Sequence, residues 1–502
     1  MKILTVEQIR QADAYTIEHE FIKSIDLMER AANACVDWIL ANKKPSENIY
    51  KIFCGLGDNG GDGLAIARLL SDRKIQVHVF VIKHSDKYSD DFKLNEERLK
   101  NIPVTHIGSV EQINSIKLDK KDIVVDAIFG SGLNRSPSGI ATDVINKINS
   151  SGCKVIAIDV PSGFSSAFAK ESKLNVCIKA DVTLKFQLPL LDFMLPQNEK
   201  HIGHFVILDI GLSREFIKSI STDYYFVTLD DIKKIIKPRA KFSHKGSFGH
   251  ALIIAGSYGK MGAAVMCVKA CMRTGAGLTT THVPKSGYVI MQKTLPEAMV
   301  SIDSHEEFIG DNVKLEKYNA IGVGPGIDTN KQTQNMLKLL IQNSKLPLVI
   351  DADALNILSE NKTWLSFIPK ESILAPHPKE FERLTEKASD DYERLDLLRQ
   401  FSIRFGVYVV LKGAHTTVAC PDGKLFFNST GNPGMAKGGS GDVLTGVITS
   451  LLAQSYRTDD SAIMGVYLHG LAGDIASHKQ GEQSMLATDI IDNLGEAFSM
   501  LN

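Results

Sequence analysis

The sequence predicts an α/β protein built as two doubly wound domains in succession. Three observations carry this. Short runs rich in β-branched residues, apolar on both faces, recur along the chain, as strands of a parallel sheet buried between helices do. Helical patterns separate many of them. The 39 glycines are clustered, at 55–63, 130–139, 246–262, 275–277, 322–326, 431–441 and 470–473, and most clusters follow such runs, the pattern of strands ending in tight functional loops. A length of 502 residues allows about three domains of ~150 residues or two large α/β domains.

An N-terminal helical segment comes first. Thr5 and Gln8 have the spacing of a capping box, and Ile9, Ala12, Ile17 and Ala31–Ala34 supply apolar faces. Strands are then expected at Ile49–Cys54, Val77–Ile82, Ile123–Asp126, Val155–Asp159, Val182–Phe186 and Phe205–Asp209. A polar, charged stretch, Ser213–Ser243, carries Pro238 and marks the join. The second series is expected at Ala251–Ala255, Leu278–Val283, Ala320–Val323, Leu348–Asp351, Ile373–Ala375, Val407–Leu411, Thr417–Ala419 and Leu425–Phe427.

Composition narrows the classes of function. Hydrophobic residues at 44% and charged residues at 23% exclude a mostly disordered chain, a collagen and a pure coiled coil. Lys and Arg number 57 against 58 Asp and Glu, so net charge gives no global reason to bind nucleic acid or an anionic membrane. No stretch approaches the ~18 apolar residues of a membrane span, and Met1–Arg10 lacks the layout of a secretory signal. A cytoplasmic location is expected. Seven cysteines without a C-x-x-C pair fit free thiols in a reducing compartment; Cys267 and Cys271, two ligands at most, do not make a zinc site.

The first site-like motif is Gly55-Leu56-Gly57-Asp58-Asn59-Gly60-Gly61-Asp62-Gly63, between a strand and a helical run expected from Leu64. Gly55, Gly57 and Gly60 satisfy G-x-G-x-x-G in the right context, where backbone amides can approach a pyrophosphate. Two features depart from a dinucleotide fingerprint. The next strand ends in Lys83 and His84 rather than a ribose-binding carboxylate, and the loop itself carries Asp58 and Asp62; Asp62 either caps the helix or binds a ribose. Two further strand ends, at Asp126 and Asp159, lead into polar loops that converge on the same sheet edge. Asn59, Asp126 and Ser162 offer hard oxygen ligands for a monovalent or divalent cation. Asp159 could act as general base if burial raised its pKa.

Asp58-Asn59-Gly60-Gly61-Asp62-Gly63, Asp126-Ala127-Ile128-Phe129-Gly130-Ser131-Gly132, Asp159-Val160-Pro161-Ser162-Gly163 and Met28-Glu29-Arg30-Ala31 resemble the signatures of NAD(P)H-hydrate epimerases over residues 1–212. The resemblance implies a Rossmann-like domain that interconverts the R and S epimers of hydrated NADH and NADPH (NADHX and NADPHX). It implies potassium at Asn59, Asp126 and Ser162. Asp58, Asn59, Gly60, Gly61 and Asp62 would contact the hydrated nucleotide, as would Gly130, Ser131, Gly132, Leu133, Asn134, Arg135, Ser136 and Asp159, with Asp159 the acid/base. Asp58 stands where the family's pattern has asparagine, keeping the size and losing the amide donors.

The densest glycine run, Gly431-Asn432-Pro433-Gly434-Met435-Ala436-Lys437-Gly438-Gly439-Ser440-Gly441-Asp442, opens an apolar helical stretch, Val443–Ala453. Glycines at a helix N-terminus expose amides as an anion hole, and Asp442 is placed to take a hydroxyl proton while those amides hold a phosphoryl group. No Walker pattern is present. Other strand ends supply Lys412-Gly413-Ala414-His415-Thr416, Gly322–Gly326, Asp351–Asn356 and Ala375-Pro376-His377-Pro378-Lys379-Glu380. With Lys241–His250 and Gly275-Ala276-Gly277, these resemble a ribokinase-like NAD(P)H-hydrate dehydratase over residues 225–502, leaving 213–224 as a linker. The implied reaction removes water from S-NADHX or S-NADPHX at the expense of ADP, with ATP the other possible donor and magnesium expected. Lys412–Thr416 and Asn432, Pro433, Gly434, Met435, Ala436, Lys437, Gly438, Gly439, Ser440 and Gly441 would bind the nucleotide. Ala264, Gly326, His377 and Asp442 would contact the hydrate, Asp442 as catalytic base. The family also implies a homo-oligomer. The alternative is a vitamin or sugar kinase carrying a non-catalytic N-terminal module.

Overall fold

A computed structural model describes residues 1–43, 49–133, 136–164 and 176–501. It divides into two units, Lys2–Thr222 and Asp223–Asn502 with Met1. Each has its own sheet and core.

The first unit carries seven parallel strands: β1 (Tyr50–Cys54), β2 (Val77–Ile82), β3 (Val104–Ile107), β4 (Ile123–Ala127), β5 (Lys154–Ile158), β6 (Val182–Phe186) and β7 (His204–Leu208). Their order is β3-β2-β1-β4-β5-β6-β7. Both faces are buried, which is why these runs alternate so little. In β1, Ile52 and Cys54 pack into a cluster with Ala32, Val36, Leu64 and Leu70. Phe53 points the other way, against Val144, Ile145 and Ile148 of helix Ile140–Asn149. The order reverses between β1 and β4, so the loops after these two strands part and leave a crevice at their carboxyl ends. The N-terminal helix Val6–His19 starts at the expected box: Thr5 Oγ1 accepts from the Gln8 amide at 3.1 Å and Gln8 Oε1 accepts from the Thr5 amide at 3.0 Å. Residues 213–222 pack within this unit. Lys2 Nζ donates to the carbonyls of Ile217 (3.0 Å) and Lys218 (2.7 Å), and Phe216 stacks on Tyr15.

The second unit carries β8 (Tyr224–Phe226), β9 (His250–Ile254), β10 (Leu278–Val283), β11 (Met299–Ile302), β12 (Ala320–Val323), β13 (Leu348–Ile350), β14 (Ile373–Leu374), β15 (Tyr408–Leu411), β16 (Thr417–Ala419) and β17 (Leu425–Phe427). Their order is β11-β10-β9-β12-β13-β14-β15-β16-β17-β8. Strands from β11 to β15 are parallel, β16 runs antiparallel to both neighbours, and β8 pairs parallel with β17. Helices Ser440–Ala453, Thr458–Gln480 and Ala487–Ser499 cover one face, with Val443, Val447, Leu468, Ile490 and Leu494 in its core.

Three strands were not expected from the sequence: β3, β8 and β11. All three are sheet edges. Half-exposed strands carry no continuous apolar run, and β11 buries none of its four residues. The seven cysteines are free and buried. Among the described residues no helix is long and apolar enough to cross a membrane.

Candidate functional sites

The first site lies beyond the carboxyl ends of β1, β4, β5 and β6. Helix Asp58–Asp72 starts six residues earlier than expected, with Gly57 as its N-cap, so most of the glycine motif lies inside the helix. These glycines serve close packing. A Cβ on Gly60 would lie 2.0 Å from the Gly55 carbonyl oxygen, and one on Gly63 would lie 2.7 Å from Ala127 Cβ and Cys54 Sγ. Gly60→Ala is therefore expected to destabilise this unit by about 2–3 kcal/mol, because backbone cannot give way as a side chain can. Thermal unfolding of the full chain beside the wild type checks this.

The helix projects Asp58, Asn59 and Asp62 towards a cavity of 630 Å³. Gly130, Ser131, Gly132, Leu133 and Asp159 line the same cavity, whereas Gly60, Gly61 and Ser136 do not. Asn134 and Arg135 lie outside the described residues. Beneath it, Ser162 Oγ donates to Asp126 Oδ1 (2.5 Å), the Ser162 amide donates to Oδ2 (2.7 Å), and the Phe129 amide donates to Ser162 Oγ (2.8 Å). Burial pushes Asp126 up to about 6 against these hydrogen bonds. The side-chain amide nitrogen of Asn59 is buried and finds no partner among the described residues.

Asp159 does not end β5 but follows it, with φ +64°. An aspartate held there is strained, a mark of functional sites. The condition set from the sequence, a pKa raised by burial, is not met. Burial pushes the carboxyl up, but Lys185 Nζ donates to Oδ1, the Ser131 amide donates to Oδ2 (3.2 Å), and with the lysine's charge they bring it below the ordinary carboxylate value. Three charged residues on the cavity wall were missed in the sequence: Arg10 and Asp13 on the first helix, and Lys185. Lys185 had a signal, a lysine inside an otherwise apolar strand, since a buried ammonium requires a partner.

The second site is a cavity of 710 Å³ in the second unit. Lys412, Gly413, Ala414, Thr416, Asn432, Pro433, Met435, Ala436, Lys437, Gly438, Ser440, Gly441 and His377 line it. Gly439, with φ +95°, is the N-cap of helix Ser440–Ala453, a conformation only glycine adopts without strain. Lys437 turns its ammonium away, donating to the carbonyls of Gln483 (2.7 Å) and Met485 (2.6 Å). His415 is not on the wall; its Nδ1 donates to the Asn428 carbonyl at 2.9 Å. Gly434 packs against Glu482 and Met485. Ala264 is wholly buried in a core cluster, so its side chain faces no cavity. His377 caps helix Pro378–Leu384: its Nδ1 accepts from the amides of Lys379 (3.1 Å) and Glu380 (3.2 Å), which leaves Nε2 to face Glu380 Oε1 at 3.3 Å. Gly326, with φ +65°, accepts at its carbonyl from Ser257 Oγ at 2.8 Å.

Asp442 sits in the first turn of helix Ser440–Ala453. Buried Asp351 lies close by, accepting from Lys412 Nζ (2.6 Å), Thr445 Oγ1 (2.7 Å) and the Ala352 amide (2.7 Å). Burial and the Asp351 charge push Asp442 up to about 6; Lys412 opposes the shift and Asp353 adds to it. His469, also on the cavity wall, was missed in the sequence. Its Nε2 and Ser440 Oγ are buried without partners among the described residues, and burial brings its pKa down to about 4, so the ring is neutral. Among the described residues one His/Asp group, Asp303, His305 and Asp311, has metal-ligand spacing. Asp303 there already accepts from His282, His305 and the amides of His305, Gly310 and Asp311, which makes it a hub bracing the loop after β11.

Comparison with known proteins gives the same division. The family model described as NAD(P)H-hydrate dehydratase matches residues 251–496, and that described as YjeF-related protein N-terminus matches 24–191. The chain is 33% identical to the bifunctional NAD(P)H-hydrate repair enzyme of Moorella thermoacetica, over 98% of this chain and 96% of that one. It is 32% identical to that of Thermofilum pendens, over 100% and 97%. The ADP/ATP-dependent NAD(P)H-hydrate dehydratase of Bacillus subtilis, co-crystallised with ATP and Mg²⁺, superposes with a TM-score of 0.50 at 28% identity, covering 55% of this chain and 99% of its own.

Proposed function

The chain belongs to the family of bifunctional NAD(P)H-hydrate repair enzymes, and we propose from this that its two units divide one repair between them. The chain is an isomerase and a lyase. Its first unit interconverts the R and S forms of NADHX and NADPHX; its second dehydrates the S form at the expense of a nucleotide and restores NADH or NADPH. The observation that carries this reading is the pair of cavities. One is walled by buried carboxyls and a lysine, equipment for moving protons. The other is walled by a glycine loop and Lys412, with Asp442 in the first turn of the helix that the loop opens, equipment for phosphoryl transfer.

In the second unit the nucleotide, ADP by family and with ATP the other donor, arrives as its magnesium complex. Gly438–Gly441 and Lys412 hold its phosphates. Asp442 takes the proton of the ring hydroxyl as that oxygen attacks the terminal phosphorus. Phosphate then leaves with the C–O bonding pair, a far better leaving group than hydroxide, and loss of a proton from the adjacent carbon restores the double bond. In the first unit Asp159 is the acid/base. Asn59, Asp126 and Ser162 would hold potassium. The unpartnered Asn59 amide fits, since turning it over offers a buried oxygen to a cation. The bound ion would supply positive charge next to the anionic substrate. A reducing cytoplasm suits free thiols and this cofactor pool. Tyr288, Val289, Ile290, Met299 and Ile302, all exposed on the β11 edge and the helix before it, support a homo-oligomer. Light scattering is expected to return a multiple of the monomer mass.

The test is regeneration of dihydronicotinamide absorbance from mixed R/S NADPHX, with ADP or ATP, with potassium or with an organic cation in its place. Full recovery with potassium and recovery slowed to the spontaneous epimerisation rate without it are expected. Recovery of the S form alone under both conditions would remove the epimerase assignment. A stable phosphorylated product would turn the second unit into a small-molecule kinase.

A further inference from the structure

Seven ionisable side chains line the first cavity, and four of them come from four different elements: Asp13 on helix Val6–His19, Asp62 on helix Asp58–Asp72, Asp159 after β5, and Lys185 on β6; Arg10, Asp58 and His84 are the others. Lys185 is 1% exposed, and among the described residues Asp159 is the one side chain its ammonium contacts. Three carboxyls facing one buried ammonium cannot all stay ionised. Contact decides which does. Asp159 has the Lys185 ammonium and the Ser131 amide; no hydrogen-bond donor among the described residues reaches the carboxyl of Asp62 or Asp13.

We propose that Asp62 is the proton donor of the epimerisation and that Lys185 is the positioning residue that keeps Asp159 as its proton acceptor. This rests on the epimerase reading of the first unit. The surroundings of the two acids differ in the required sense. Burial pushes Asp62 well above the ordinary value, and the carboxyls of Asp159, Asp58 on its own helix, Asp13 and Asp91 on helix Asp90–Arg98 add to the shift; the cations on the same wall, Lys185 and Arg10, act on Asp159 and Asp13 instead. Asp13 has Arg10 and Lys185 as counterweights and reaches only about 6. Cys35, on helix Ser24–Ala41, is a buried neutral thiol, and His84, after β2, completes the wall. Two acids driven apart by their surroundings are the mark of an acid and a base working together.

The reaction balances with these groups alone. Asp62 gives its proton to the hydroxyl on the ring carbon. That C–O bond breaks, water leaves with the bonding pair, and the lone pair of the adjacent ring nitrogen fills the carbon. Water adds to the opposite face, forming the new C–O bond, and Asp159 takes the proton it sheds. The proton returns from Asp159 to Asp62 through the released water, and nothing is oxidised or reduced.

The experiment follows R/S interconversion by chromatography, without nucleotide, in the full chain across pH. The wild type should give a bell in kcat/KM. Asp62→Asn should lose the alkaline limb and at least 100-fold in kcat. Lys185→Met should move the acidic limb upward by a pH unit or more, and Lys185→Arg should return it; Lys185→Gln carries the same expectation as Lys185→Met should the latter not fold. Melting curves of each variant separate these effects from loss of structure. Asp62→Asn keeping more than a tenth of the rate with both limbs, or an acidic limb indifferent to loss of the lysine, overturns the proposal. A wild-type chain that does not interconvert the epimers overturns the epimerase reading itself.

Discussion

Asp442→Asn is expected to slow nucleotide-dependent dehydration by about 10²–10⁴-fold, the range a positioned general base contributes, while R/S interconversion continues unchanged. The carboxyl lies in the first turn of the helix whose N-terminal amides face the cavity, beside Lys412 and Asp351. Its pKa of about 6 makes a second prediction for the wild type. A base must be ionised, so dehydratase kcat/KM should fall as pH drops through about 6. Asp351→Asn should move that limb down, since it removes a negative neighbour, and Lys412→Met should move it up. The same shift has an opposite sign for stability. Folded Asp442 binds its proton more tightly than the unfolded chain does, so its contribution is favourable below about pH 4 and lost as pH rises through about 6. Asp442→Asn should raise the stability of the second unit at pH 7, by about 1–3 kcal/mol, and leave it unchanged at pH 4. A variant that keeps a tenth of the dehydration rate would exclude Asp442 as the base.

Asp159→Asn should abolish epimerisation to a similar degree, so that only the S half of a mixed substrate is recovered, and should also weaken the first unit. Lys185 then loses its charged partner in a wholly buried site, a change worth about 3–5 kcal/mol. Because the pair holds Asp159 below its ordinary value, its contribution is present at neutral pH and lost as pH falls through the folded pKa. Asp159→Gly would release the backbone strain of φ +64°, about 1–3 kcal/mol, which does not offset the stranded ammonium. The double variant Asp159→Gly, Lys185→Met should regain most of the loss. Chemical denaturation of the four chains at pH 7 measures this directly. A single Asp159→Gly chain as stable as the wild type would mean that Lys185 does not depend on the pair.

Where a residue was legible in the sequence depended on what its neighbours along the chain disclose. Buried strands rich in apolar and β-branched residues, such as β2, β6, β10 and β12, were read to the residue. The edge strands β3, β8 and β11 carry polar and aromatic residues that do not distinguish them from loop. Loops after parallel strands announce themselves by glycine and aspartate, so Asn59, Asp126, Asp159 and the 431–442 run could be found. Arg10, Asp13, Lys185 and His469 lie on elements that the local pattern reads only as helix or strand, and only the fold turns them towards a cavity. The direction of the Asp159 shift was not legible for the same reason: burial can be guessed from an apolar run, but the ammonium that outweighs it comes from the next strand over.

The pairing of β8 with β17 sets a schedule for synthesis. Tyr224 meets Leu425, about 200 residues later in the chain. At ~5–20 residues per second, the first strand of the second unit leaves the ribosome roughly 10–40 s before its partner exists. For that interval Tyr224, Tyr225 and Phe226 are an aromatic strand without the sheet that it joins. A chain stalled or cut before residue 425 should therefore carry a sticky, chaperone-dependent end at 224–226, however well the segments between have formed.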